Sequence, residues 1–179
     1  MCEIIWKEDK QMILYPKIYL ESVKDITIDF LRENNIKAII LDVDNTILDF
    51  DRRVPDGIEE WCKNLKKQGI KFCILSNSNK KDKVEMAAKK LELPYFNLAT
   101  KPFKRGFNKA RKLLHEKPQN IAAVGDQIFT DVIGANRCKM YSILVKPLGK
   151  KDLLVTKIKR PLENFVIEKY KKSLTNNQN

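Results

Sequence analysis

Residues 37–46 read KAIILDVDNT: four apolar residues, Ala38 to Leu41, entered from a lysine and left through two aspartates. A short apolar run without alternation is the pattern of a strand buried on both faces, as in a parallel sheet covered by helices. Residues two apart in a strand point to the same side, so Asp42 and Asp44 should leave the strand end facing one way. Downstream, Ile58, Trp61, Cys62 and Leu65 recur at helical spacing, with Pro55 and Asp56 suited to the first turn and Gly69 to the end. Residues 70–75 form a second strand that opens into Ser76 and Asn77. Val84, Ala87, Ala88 and Leu91 mark a helix, residues 95–98 a short third strand, and residues 103–115 another helix. Residues 121–124 form a fourth strand opening into Gly125 and Asp126, followed by a helix over 128–137 and a fifth strand over 141–145. This strand–helix alternation with short connections implies an α/β fold: a Rossmann-like, five-stranded parallel sheet with helices on both faces.

The ends of the chain have a different character. Residues 1–36 read as an N-terminal extension with an aromatic patch (Tyr15, Tyr19) and one helix ending near Asn35. Residues 37–149 carry the alternating pattern. Residues 150–179 hold a basic helix, with Leu162, Phe165, Val166 and Tyr170 on one face, and a polar tail from Thr175 expected to be disordered.

A chain of 179 residues, 43% hydrophobic and 32% charged, suits one soluble domain. No apolar run approaches the ~18–20 residues of a membrane span, and the first twenty residues lack a signal-peptide core. The expectation is a cytoplasmic protein rather than an integral membrane, secreted or disordered one. The four cysteines, Cys2, Cys62, Cys73 and Cys138, form no CxxC pair, and His115 is the single histidine. A zinc site and a disulfide framework are both disfavoured, and Cys62 and Cys73 read as buried thiols. Catalysis would then rest on carboxylates. The net charge of +12 suits a polyanionic partner, nucleic acid or an anionic membrane, and equally a lysine-rich composition without one.

In open parallel sheets, ligands bind beyond the carboxyl ends of the strands. That edge would collect Asp42, Asp44, Ser76, Asn77, Lys101, Asp126 and Asp131. Carboxylates held this close repel one another unless a cation joins them, and an all-oxygen donor set points to Mg²⁺. One aspartate could then attack phosphorus while the other handles protons.

The ordered set DVDNT (42–46), SN (76–77), KP (101–102) and GDQIFTD (125–131) resembles the haloacid dehalogenase (HAD) superfamily of phosphatases over residues 37–146. More closely, it resembles the YqeG family of subfamily IIIA, which is related to the phosphatidylglycerophosphate phosphatases. The segments LYP (14–16) and TKIKR (156–160) are also similar to that family, which is usually richer in arginine there. The resemblance implies roles. Asp42 matches the nucleophile, Asp44 the general acid and base, Ser76 the phosphoryl-binding hydroxyl with Asn77 beside it, and Lys101 the phosphate-neutralising lysine. Asp126 matches a Mg²⁺ ligand and Asp131 a ligand or its neighbour. A side-chain oxygen of Asp42 and the main-chain carbonyl of Asp44 complete the set.

Many members carry a cap domain. Here 33 residues separate Asp42 from Ser76 and 24 separate Ser76 from Lys101, both spans filled by sheet and helix, so no cap is expected. An open site suits a substrate presented on a large surface. Residues 101–117 hold seven basic groups and one acidic, and residues 139–172 ten and three. Each such cation near an anionic bilayer adds about 1 kcal/mol of attraction. The leading expectation is a Mg²⁺-dependent phosphatase that acts on phosphatidylglycerophosphate, in peripheral contact with the inner face of the membrane. The alternatives are another phosphomonoester (a phosphoprotein, a nucleic-acid end or a soluble phosphate) and a basic RNA- or ribosome-binding module on the same fold. Nucleic acid is disfavoured because no aromatic-rich RNA-binding signature is present.

Overall fold

The computed structural model describes residues 13–149 and 154–176. In chain order it contains β1 (Ile18–Leu20), α1 (Ile28–Glu33), β2 (Ala38–Leu41), α2 (Ile58–Lys67), β3 (Lys71–Leu75) and α3 (Lys81–Leu91). There follow β4 (Tyr95–Phe96), α4 (Lys104–Leu114), β5 (Ile121–Gly125), α5 (Ile133–Arg137), β6 (Tyr141–Val145) and α6 (Leu154–Asn176). Expectations for Cys2, residues 150–153 and the tail beyond Asn176 lie outside the described residues. Thr175 and Asn176, expected in that tail, continue the helix.

All strand pairs are parallel, in the order β1-β6-β5-β2-β3-β4. The chain builds outward from β2 through β3 to β4, then returns to the other side of β2 for β5 and β6. The reversal falls between β2 and β5, where Leu41 pairs with Val124. Loops diverge at such a point and leave a crevice beyond the strand ends.

The sheet has six strands, not the expected five. The sixth, β1, comes from the N-terminal segment and pairs with β6 through Ile18, Tyr19 and Leu20. Three residues beside a proline are too few to show a hydrophobic period. Only the bare edge of β6, extended by the Lys17 N–H donating to the Ser142 carbonyl, makes them a strand. The N-terminal segment also carries α1, which Thr27 opens by accepting from the Phe30 N–H at 3.1 Å. One helix begins later than its sequence suggests: α2 starts at Ile58, behind Gly57 at φ +83°, so Pro55 and Asp56 precede it. Gly69, at φ +86°, ends that turn as expected.

Alternate residues of the central strands serve opposite cores. Ile39, Leu41, Phe72, Ile74 and Val124 face α1, α2 and α3, among Leu31, Cys62, Leu65, Val84 and Leu91. Ile40, Cys73, Leu75, Ile121 and Ala123 face α4 and α5, among Phe107, Ala110 and Leu114. Burial pushes the Cys62 thiol up to about 11 and the Cys73 thiol up to about 12, so neither is a nucleophile at neutral pH.

A third, smaller cluster fastens α6 against the turn after β5 and against β1: Val166 and Ile167 meet Ile128, Val132, Leu144 and Tyr19. The buried Glu163 carboxylate accepts from the Phe129 N–H at 3.2 Å. The Tyr170 ring meets Tyr15 edge-on at 5.5 Å. The helix therefore runs from the carboxyl edge of the sheet back toward the start of β1. No helix among the described residues is long and apolar enough to cross a membrane.

Gly134 lets α4 and α5 pack closely. A Cβ there would stand 2.2 Å from Cε2 of the buried Phe107 ring. In an exposed helix Gly→Ala would stabilise by about 1 kcal/mol. Here the clash with a ring that has no room to move outweighs propensity, and Gly134→Ala should cost about 1–3 kcal/mol in denaturant unfolding.

Candidate active site

Asp42 follows β2 and Asp126 follows β5, the two neighbours at the sheet reversal. Asp131 returns to the same place because the segment after β5 winds as a π-helical turn, Ile128–Val132. The Asp131 and Val132 N–H groups both donate to the Gln127 carbonyl, at 2.9 and 3.3 Å. Wide turns of this kind often sit at functional sites. Gly125 makes the approach possible: a Cβ there would stand 2.3 Å from Cγ of Asp131.

Lys101 lies between the carboxylates. Its ammonium donates to Oδ1 of Asp42 at 2.5 Å and to Oδ1 of Asp131 at 2.6 Å, with all three side chains buried. The loop that carries Lys101 is clamped by Asn77, whose amide donates to the Lys101 carbonyl at 2.9 Å and accepts from its N–H at 2.7 Å. Asn77, expected beside a phosphoryl group, thus orients the lysine. Ser76 is fully buried, and its Oγ accepts from the Ser78 N–H at 3.0 Å. Thr46 donates to Oδ2 of Asp42 at 3.3 Å.

Asp42, Asp126 and Asp131 each offer a carboxylate oxygen, and these oxygens lie within 4.8 Å of one another. Three buried carboxylates face one buried ammonium. Desolvation pushes the Asp42 carboxyl up to about 7; Lys101 opposes the shift, while Asp131 and Asp44 add to it. Burial also works against the Lys101 ammonium, but Asp131 and Asp42 overcome this and hold it charged, above the ordinary lysine range. An additional cation among the three carboxylates would relieve the imbalance, and hard oxygen donors fit a divalent ion such as Mg²⁺.

The Asp44 carboxylate stands outside this trio. It pairs with Lys83, near the start of α3. Sequence reasoning missed Lys83 because it stands in the run Lys80-Lys81-Asp82-Lys83, where no period singles out one lysine. Lys83 is mostly buried while Lys80 and Lys81 are exposed, a difference visible only once α3 is docked.

The span from Asp42 to Ser76 holds a loop, α2 and β3, and the span from Ser76 to Lys101 holds α3, β4 and their short connections, so neither span carries a cap. The space beneath the carboxylates, lined by Ile40, Leu75, Phe107 and Ala123, is too tight for a water molecule.

Comparison with known proteins gives the chain its family. The family model "Mitochondrial PGP phosphatase" matches residues 2–148. "Probable phosphatase YqeG" of Bacillus subtilis (strain 168) is 34% identical over 158 residues, covering 88% of this chain and 91% of that protein. "Phosphatidylglycerophosphatase GEP4, mitochondrial" of Saccharomyces cerevisiae is 29% identical over 167 residues, covering 84% of this chain and 88% of that protein. The cobalt-bound deoxy-D-mannose-octulosonate 8-phosphate phosphatase (YrbI) of Haemophilus influenzae shares the fold. Its TM-score is 0.50 at 15% identity, over 78% of this chain and 92% of that one. With the family model spanning most of its length, this chain belongs to the PGP phosphatase family and is a phosphomonoester hydrolase.

Proposed function

We propose that this phosphatase is Mg²⁺-dependent and removes the terminal phosphate of phosphatidylglycerophosphate at an anionic membrane surface, giving phosphatidylglycerol. The observation that carries the reading is an uncapped rim on which Asp42, Lys101, Asp126 and Asp131 converge. A substrate anchored in a bilayer can reach such a rim, whereas a small soluble ester would be poorly shielded from water there. The substrate named for the yeast relative supports the lipid assignment.

In this reading an oxygen of Asp42 attacks phosphorus. The bond from phosphorus to the glycerol oxygen breaks, and Asp44 donates a proton to that departing oxygen. Asp44 then takes a proton from water. The resulting hydroxide attacks phosphorus, the bond to Asp42 breaks, and inorganic phosphate leaves. Lys101 and the Ser76 segment bind the phosphoryl oxygens, and Asn77 keeps Lys101 in place. Asp42, Asp126, Asp131 and the main-chain carbonyl of Asp44 would hold a divalent ion, which when bound would supply neutralising charge for the phosphoryl group. The Lys83 ammonium holds the Asp44 carboxylate where the leaving oxygen would depart. The expected location is the cytoplasmic side of a membrane, in peripheral contact.

Asp42→Asn keeps the shape of the side chain and removes the nucleophile. Phosphate release should fall at least about a thousandfold with circular dichroism unchanged; retained turnover would remove Asp42 from its role. EDTA should silence the enzyme and excess Mg²⁺ restore it, and activity indifferent to chelation would sink the metal assignment. Phosphate release across a panel of lipid, nucleotide, sugar and peptide phosphates tests the substrate. A preference for any soluble ester over phosphatidylglycerophosphate would overturn the lipid reading.

A further inference from the structure

Lys101 is flanked by two large apolar side chains that the fold leaves in water. Phe103 is 66% exposed, the most open of the described large hydrophobic residues, and Leu98 is 60% exposed. Single exposed apolar residues need no explanation. These two sit within three positions of the lysine whose ammonium enters the site, so they stand at the site's own rim. Leu98 also has φ +49° and Thr100 φ +55°, conformations that ordinary side chains seldom adopt.

Main-chain bonds hold the loop in that shape. The Leu98 N–H donates to the Ser78 carbonyl at 3.4 Å, Ala99 to Ser76 at 3.0 Å, and Phe103 to Thr100 at 2.9 Å. Gly106, at the start of α4, backs the loop closely enough that a Cβ would stand 2.5 Å from the Ala99 carbonyl oxygen. Two more exposed apolar residues share this edge: Phe50, on the loop after β2, and Leu162, next to the Glu163 that meets the turn after β5.

The charge beside the loop selects the occupant. Lys80, Lys104 and Arg105 are exposed, and among the described residues no ion pair is formed by any of them. Apolar side chains that project from a fixed loop among unneutralised cations match an anionic lipid interface, where the apolar part enters the acyl boundary and the cations meet headgroups.

We propose that the β4–α4 loop is the membrane-entering element of this enzyme, with Leu98 and Phe103 inserted in an anionic bilayer and Lys80, Lys104 and Arg105 on its phosphates. The inference rests on the lipid-phosphate reading above and adds how the open site reaches its substrate. Insertion on both sides of Lys101 brings its ammonium and the carboxylates of Asp42, Asp126 and Asp131 down to headgroup level.

Vesicles of phosphatidylcholine with and without phosphatidylglycerol test it, using variants that the backbone accepts. Asn tolerates positive φ and Ser suits a helix N-cap, so Leu98→Asn and Phe103→Ser should fold normally. The wild type should sediment with the anionic vesicles and not the neutral ones. Each variant should bind about tenfold more weakly, while hydrolysing p-nitrophenyl phosphate at the wild-type rate. The emission of a Phe103→Trp variant should shift to the blue on anionic vesicles and be quenched by brominated lipid. Wild-type binding by both polar variants would overturn the proposal. So would unshifted emission from vesicle-bound Phe103→Trp protein, or a wild type that ignores the vesicles and pairs with itself instead. The two readings fail separately. Normal insertion without phosphate release from phosphatidylglycerophosphate removes the substrate and leaves the loop's role standing. Undiminished turnover of that lipid on vesicles by both polar variants removes the loop and leaves the substrate standing.

Discussion

The ammonium of Lys101, shared between Asp42 and Asp131 away from solvent, is the contact on which the rest of the site depends. Buried ion pairs rarely add net stability, because desolvation consumes most of the Coulombic gain. Here three carboxylates outnumber the one ammonium among them, so the cluster is costly without a further cation. A fold retains such an arrangement when the charges serve chemistry, and phosphoryl transfer needs cationic groups fixed in advance around a nucleophile.

The surrounding architecture meets that need in layers. The reversal of strand order between β2 and β5 sets Asp42 beside Asp126. A π-helical turn and a side-chain-free Gly125 let Asp131 fold back onto them. Asn77 reaches across from the end of β3 to hold the main chain of Lys101. The Glu163 carboxylate then pins the turn after β5 from α6, so the C-terminal helix supports the site as well as carrying charge.

The membrane reading gives the uncapped spans and the exposed apolar loop one explanation. A capped phosphatase encloses a small substrate in protein; this one leaves its rim bare and projects Leu98 and Phe103 beside it. If a bilayer is what covers the rim, it shields the reacting phosphate from bulk water as a cap would, and the adjacent cations draw the protein to anionic lipid. Surface charge that by composition suits a polyanionic partner and plain lysine abundance equally would then acquire a position relative to the chemistry.

Much of this was legible in the residues themselves. Unbroken apolar runs such as Ala38–Leu41 betray strands buried on both faces, and aspartates, a serine and a lysine at successive strand ends betray a shared edge, because a parallel sheet brings those ends together whatever the loops contain. Other features follow from contacts between distant segments. Three residues, Ile18–Leu20, become a strand only because β6 presents a free edge. Lys83 is distinguished from its neighbouring lysines only by the docking of α3 against the Asp44 loop. Asn77 serves as a clamp because the loop after β4 passes within reach of its amide. Local pattern determines which elements form and which chemistry they carry; which side chains meet across elements is settled by packing, and packing energy is a property of pairs that no single stretch of sequence contains.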